Sequence, residues 1–237
     1  MILNINALQG WIVLMFRYFI LILIIMSCGD EASRKEKQEQ EAKKDEVNEV
    51  KSATKTILFF GDSLTAGFGL EDNNDAFPTV IQTIIDSLSL NYVVVNSGVS
   101  GETTAGGLGR INWVINQKVD LFVLELGAND GLRGISLTET RENLQAIIDR
   151  VRTKYPEISI VIAGMQLPPN LGQDYTKEFK SIFEELAKKN DLEIIPFLLK
   201  DVAGIPELNQ EDGIHPNVEG QKIVANNVWV ALEPLLK

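Results

Sequence analysis

The sequence predicts an α/β domain built as a three-layer α/β/α sandwich around a five-stranded parallel sheet. Three observations carry this expectation. From Thr56 onward, short apolar runs alternate with longer amphipathic stretches, the order that builds βαβ units and a parallel sheet. The apolar runs are continuous rather than alternating, which suits strands covered on both faces. Residues 56–237 also fall within the usual length of one domain, about 50–250 residues.

The elements follow in order along the chain. Thr56–Phe60 reads as a buried first strand. Ala76–Leu88 reads as a helix, with Pro78 in its first turn, where a missing N–H costs nothing. Tyr92–Asn96 is β-branched and strand-like. Thr103–Asn116 is helical by period, and Asp120–Leu126 is a second continuous apolar strand. Leu137–Lys154 is a long amphipathic helix with Leu144, Ile147, Ile148 and Val151 on one face. Ser159–Ala163 is a strand, Asp174–Lys189 a helix, Glu193–Ile195 a short strand and Val218–Leu235 the closing helix.

In open parallel sheets, ligands bind at the carboxyl ends of the strands, and four polar clusters follow four strand ends. The first is Gly61-Asp62-Ser63-Leu64-Thr65. Ser63 there is either a nucleophile exposed at the sheet edge or a helix N-cap, and no GxSxG elbow is present. The second, Asn96 to Thr104, has glycines that let backbone amides approach a ligand, or that simply turn the chain. In the third, Gly127-Ala128-Asn129-Asp130-Gly131, the Asn129 side chain could aim an N–H at a developing oxyanion or form an Asx turn. The fourth is Asp212-Gly213-Ile214-His215-Pro216-Asn217. An Asp three residues before a His in a loop can fix the imidazole tautomer, freeing the other nitrogen to take a hydroxyl proton. Together the clusters supply a nucleophile, an oriented base and oxyanion donors at one sheet edge.

Composition narrows the field. Hydrophobic residues at 45% and charged residues at 23% are ordinary for a packed globular core. A net charge of −11 repels a phosphate backbone, so no nucleic-acid partner is expected. One Cys and one His exclude an intramolecular disulfide, a Cys-based zinc site and a multi-histidine metal centre. No metal or cofactor is therefore expected.

The first 28 residues resemble a bacterial lipoprotein signal. An apolar run from Trp11 to Met26, broken by Arg17, ends at Ile25-Met26-Ser27-Cys28-Gly29. Met15-Phe16-Arg17 would open a more ordinary signal than Met1, so Met15 is the alternative start. The resemblance implies that Cys28 is lipidated, becomes the mature N-terminus and anchors the protein to a membrane of the bacterial cell envelope. Residues 29–55 carry eight acids and seven bases with few large apolar side chains. Such a tract cannot offset its ordering entropy by burial and reads as a charged, flexible linker. With Arg17 it is charge-neutral, so the −11 belongs to residues 56–237.

The four clusters resemble the consensus blocks of the GDSL, or SGNH, hydrolase family. The resemblance covers nearly all of residues 56–237 and implies the flavodoxin-like fold of that family. It puts Ser63 in the nucleophile position, Gly101 and Asn129 at the oxyanion glycine and asparagine, and Asp212 and His215 in the D-x-x-H block. The Ser63 backbone N–H would be the remaining oxyanion donor. The stretches Glu125–Gly134, Gln166–Gly172 and Asp212–Asn217 are similar to the branch of thioesterase I, lysophospholipase and arylesterase enzymes. This implies a small acyl ester, thioester or lysophospholipid substrate, with Leu132, Leu167 and Pro168 along an acyl groove. Leu171 stands where an aromatic is common in that branch. A carbohydrate O-acetylesterase shares the four blocks and is the alternative. A lipid- or glycan-binding lipoprotein without catalysis is the alternative from another class.

Overall fold

The computed structural model describes residues 54–236. The signal-like segment, Cys28 and most of the charged tract lie outside those residues. Five strands form the sheet: β1 (Lys55–Gly61), β2 (Tyr92–Gly98), β3 (Leu121–Glu125), β4 (Ser159–Ala163) and β5 (Glu193–Ile195). All pairings are parallel, in the order β2-β1-β3-β4-β5. The first strand begins at Lys55, one residue earlier than its sequence pattern suggested, because Lys55 already pairs with Tyr92.

Four long helices connect the strands, α2 (Phe77–Ser87), α3 (Thr104–Val114), α5 (Leu137–Lys154) and α6 (Gln173–Asn190), and a fifth, α7 (Val218–Leu232), follows β5. Two short ones, α1 (Ser63–Ala66) and α4 (Ala128–Leu132), follow β1 and β3 directly. Neither carries enough turns to show a helical period, so both had read as loops. The closing helix stops at Leu232, and Glu233–Leu235 continues as a 3-10 turn around Pro234.

The strands are apolar without alternation because both faces are covered. Ile57, Leu58, Phe59 and Phe60 are all fully buried. Phe59 meets Phe77 of α2 edge-on at 5.5 Å on one side. Phe60 meets Phe122 at 5.7 Å and lies against Gly107 of α3 on the other. Helix α2 packs on α7, whereas α5 packs between α3 and α6. The face of α5 formed by Leu144, Ile147, Ile148 and Val151 is fully buried, as its period required.

β2 and β3 flank β1 on opposite sides, so the connections leaving β1 and β2 run in opposite directions. That reversal opens a crevice at the carboxyl ends of β1 and β3, the place where open α/β sheets bind ligands. Helix α1 sits in this crevice, pressed against the end of β2. A Cβ at Gly98 would lie 2.2 Å from the Ala66 backbone nitrogen and 2.8 Å from the Asp62 carbonyl oxygen. Gly98→Ala is therefore expected to lower stability in urea unfolding by about 1–3 kcal/mol. Gly109→Ala, in an exposed part of α3 with open space around it, is expected to gain up to about 1 kcal/mol. Equal effects from the two substitutions would refute the close-packing account of Gly98.

Candidate active site

Ser63 is the first residue of α1. Asp62 caps the helix, its Oδ1 accepting the Leu64 N–H at 3.0 Å. The capping explanation for Ser63 thus passes to its neighbour, and the Ser63 hydroxyl is free to point elsewhere. It meets His215 Nε2 at 2.9 Å, from a position 152 residues away in sequence.

His215 lies in the turn before α7. An isolated bridge between Asn209 and Pro216 and a Gln210 N–H to His215 carbonyl bond of 2.8 Å hold that turn. The His215 Nδ1 lies 2.6 Å from Asp212 Oδ2. Asp212 Oδ1 accepts the backbone N–H groups of Ile214 and His215 at 2.9 and 3.0 Å. Partial burial would raise the Asp212 pKa, but the bonds from the His215 amide and ring and from the Ile214 amide outweigh it. They hold the carboxyl down at about 2. The Phe68 ring packs against the imidazole with centroids 4.8 Å apart.

Gly101 and Asn129 arrive from the loops after β2 and β3. Gly101 has φ +77, a left-handed turn that a side chain would strain. Among the described residues, no carbonyl accepts the N–H of Ser63 or of Gly101. The Asn129 amide, in contrast, is engaged: its Nδ2 donates to Asp62 Oδ2 at 3.0 Å and to the Glu102 carbonyl at 3.1 Å. Its Oδ1 accepts from Arg133, which also donates to the Gly101 carbonyl at 2.9 Å. The adjacent Asp130 is buried and accepts the N–H and hydroxyl of Thr104 at 2.9 and 2.6 Å, tying α4 to the start of α3.

Four supporting residues escaped the sequence reading: Asp62, Arg110, Glu125 and Arg133. Arg110 makes a paired contact with the Glu102 carboxylate, stacks 4.0 Å over the Phe60 ring and donates to the Ser97 carbonyl at 2.9 Å. Beneath Ser63, Asp62 and Glu125 form a buried acid pair. Burial drives the Asp62 pKa up to about 6, held back by the Leu64 and Asn129 hydrogen bonds. Burial first, and the Asp62 charge second, push Glu125 well above the usual carboxylate range. For acids raised on folding, the stabilisation is fullest below the ordinary carboxylate pKa and is lost as pH rises, through about 6 for Asp62.

The hydroxyl–imidazole line stands at the head of an apolar groove of about 830 Å³. Leu132, Leu167 and Pro168 line it, as the sequence suggested, together with Met165, Phe197, Leu199 and Ala203. The last four were missed. Their signal is faint: apolar residues that continue just past the ends of β4 and β5.

An imidazole-linked hydroxyl opening onto such a groove, at the carboxyl edge of a parallel sheet, defines the class of ester hydrolases. More narrowly, the chain belongs to the GDSL-like lipase/acylhydrolase family, whose model matches residues 59–223. It is 36% identical over 186 residues to esterase TesA of Pseudomonas aeruginosa, covering 78% of this chain and 91% of that protein. Thioesterase 1/protease 1/lysophospholipase L1 of Escherichia coli is 35% identical, with 78% and 86% covered. The crystal structure of AlinE4, an SGNH-hydrolase family esterase, superposes with a TM-score of 0.64 at 40% identity, covering 78% of this chain and 98% of that one.

The depressed Asp212 carboxyl is directly measurable. Its folded pKa lies below the ordinary 3.8, so its stabilising contribution is present above that value and is lost as pH falls toward about 2. A carbon-13 NMR titration of the Asp212 carboxyl is expected to give a midpoint near 2. In His215→Ala the midpoint should rise toward 3.8; an unchanged midpoint would contradict the assigned cause.

Proposed function

We propose that the protein is a serine esterase that hydrolyses acyl esters or thioesters through an acyl-enzyme on Ser63. One observation carries the reading: Asp212, His215 and Ser63 are linked in line at 2.6 and 2.9 Å at the head of the acyl-sized groove. In the resting tautomer, Nδ1–H of His215 donates to Asp212 and the bare Nε2 accepts the Ser63 O–H. His215 removes that proton as Ser63 Oγ attacks the acyl carbon. Asp212 keeps the ring oriented and stabilises the imidazolium. His215 then passes the proton to the leaving alcohol or thiol, and a water repeats the sequence on the acyl-enzyme.

The N–H groups of Ser63 and Gly101 point to two oxyanion donors, and the Asn129 amide to a third. Because both acceptors of Asn129 are protein oxygens at rest, it must redirect one N–H as the oxyanion forms. The apolar groove favours an acyl chain over a sugar. A lysophospholipid fits the groove and an enzyme held at a membrane. That location rests on lipidation of Cys28, which we also propose from the signal-like sequence preceding it.

Three measurements test these assignments. Ser63→Ala is expected to abolish hydrolysis of short p-nitrophenyl esters and fluorophosphonate labelling while the thermal melt stays intact; normal turnover in a folded variant would sink the mechanism. Asn129→Ala is expected to lower kcat about 100-fold, or ~3 kcal/mol, typical of losing one oxyanion donor. In bacteria fed an alkyne fatty acid, the protein should take up the label and Cys28→Ala should not; equal labelling would remove the anchor.

A further inference from the structure

Glu125 closes β3 and is buried to 1% exposure, yet the proton relay above makes no use of it. Its Oε2 accepts the Asp62 N–H at 3.1 Å and the Thr65 hydroxyl at 2.7 Å. Its Oε1 has no hydrogen-bond donor among the described residues. A buried carboxylate oxygen left in that state is strongly disfavoured, because it has lost its water without gaining a donor. A carboxyl hydroxyl needs no donor, because it donates instead. The buried Glu125 and Asp62 carboxyls are neighbours, joined through the Asp62 N–H to Glu125 Oε2 bond, and each acts on the other's ionisation; two carboxyls so placed do not both ionise readily. The doubly filled Oε2 behaves as the carbonyl oxygen, which leaves Oε1 to carry the proton.

We propose that Glu125 is a positioning residue for ester hydrolysis: protonated on Oε1, it donates to the Asp62 carboxylate and holds that group against the Asn129 amide. This rests on the serine-esterase reading and extends it to a residue behind the oxyanion site. The Asp62 carboxylate accepts the Leu64 N–H and the Asn129 amide, each at 3.0 Å, and the Glu125 hydroxyl of this proposal would be its third donor. So engaged, it competes less strongly for the Asn129 N–H than a bare carboxylate would, and it still fixes where that amide points.

The surrounding charges agree with a neutral Glu125. From the β5–α7 turn, His215 favours the ionised form of Asp62 when its ring carries a proton as imidazolium. From α3, Arg110 reaches the Gly61 carbonyl at 3.3 Å, but its charge is met by Glu102. From α4, Asp130 is taken up by Thr104. No cation among the described residues forms an ion pair with Glu125. Burial and the Asp62 charge both favour its neutral form.

The test compares full-length wild type, Glu125→Ala and Glu125→Gln. Glutamine reproduces the protonated carboxyl, with one acceptor for Asp62 N–H and Thr65 and one donor for Asp62. Glu125→Ala is expected to keep KM and lose kcat about 100-fold through a misplaced Asn129, and Glu125→Gln to restore kcat. Infrared difference spectra between wild type and Glu125→Gln at neutral pH should contain one protonated-carboxyl C=O band belonging to Glu125. A folded Gln variant as impaired as Glu125→Ala, or no such band, would overturn the proposal. The Gln variant and the spectrum decide the matter even where Glu125→Ala does not fold. Ser63→Ala tests the serine mechanism independently, so failure of either reading leaves the other distinguishable.

Discussion

The parallel register between β1 and β3 sets Gly61 beside Glu125, and the chemistry at the sheet edge hangs on that pairing. One residue further along each strand direction, Asp62 and Ser63 enter α1 while Leu126 and Gly127 lead into α4 and Asn129. A slip of one residue would turn each strand's side chains to the opposite face and separate the nucleophile from its supports. The register is strongly specified because both faces of these strands are buried in apolar packing. The bulky pairs that fill the two layers, Phe59 with Phe77 and Phe60 with Phe122, thus act on catalysis through geometry. They decide which loops share an edge.

Polar groups at this edge are organised in two tiers. The upper tier is partly open to solvent and holds the hydrogen-bonded line of Ser63, His215 and Asp212. The lower tier is buried and made of Asp62, Glu125, Asp130 and the Thr side chains that bind them. Its bonds join α1, α3 and α4 to the strand ends below. Arg110 and Arg133 add cross-links from the side, each gripping the loop that contains Gly101 and Glu102. The upper tier consequently rests on fixed points and not on loop conformation alone, the arrangement that catalytic preorganisation requires.

Much of this was legible in the sequence. The bounds of Leu137–Lys154, Ser159–Ala163 and Glu193–Ile195 agree with their apolar patterns, because each has clear end signals and a buried face of definite period. The short helices α1 and α4 were not legible, since four or five residues cannot display a period and form there through tertiary bonds to Asp62 and Asp130. The relay residues stood out because a lone His in an Asp-x-x-His turn has few other uses. Glu125 did not: it falls within Asp120–Leu126, which reads as one apolar strand, and that pattern assigns no role to a single acid near its end. Only its contact with Asp62, 63 residues away, reveals it as interior. Phe197 and Leu199 were hidden for the converse reason, since apolar residues after a strand look like more core.

The resting state of Asn129 has a consequence for how the cycle ends. Its amide is seated between the Asp62 carboxylate and the Glu102 carbonyl, so both of its N–H groups are engaged. An anion entering the site meets the unengaged N–H groups of Ser63 and Gly101, but it wins the Asn129 amide only by exchanging acceptors. In the proposed acyl-enzyme mechanism, a tetrahedral oxyanion bonded covalently to Ser63 would be placed by that bond to win the exchange. A free fatty-acid carboxylate has no such covalent placement, and it faces a carboxylate already in possession. On the proposed mechanism, the same arrangement that steadies the amide before reaction would give a product carboxylate one donor fewer than the intermediate.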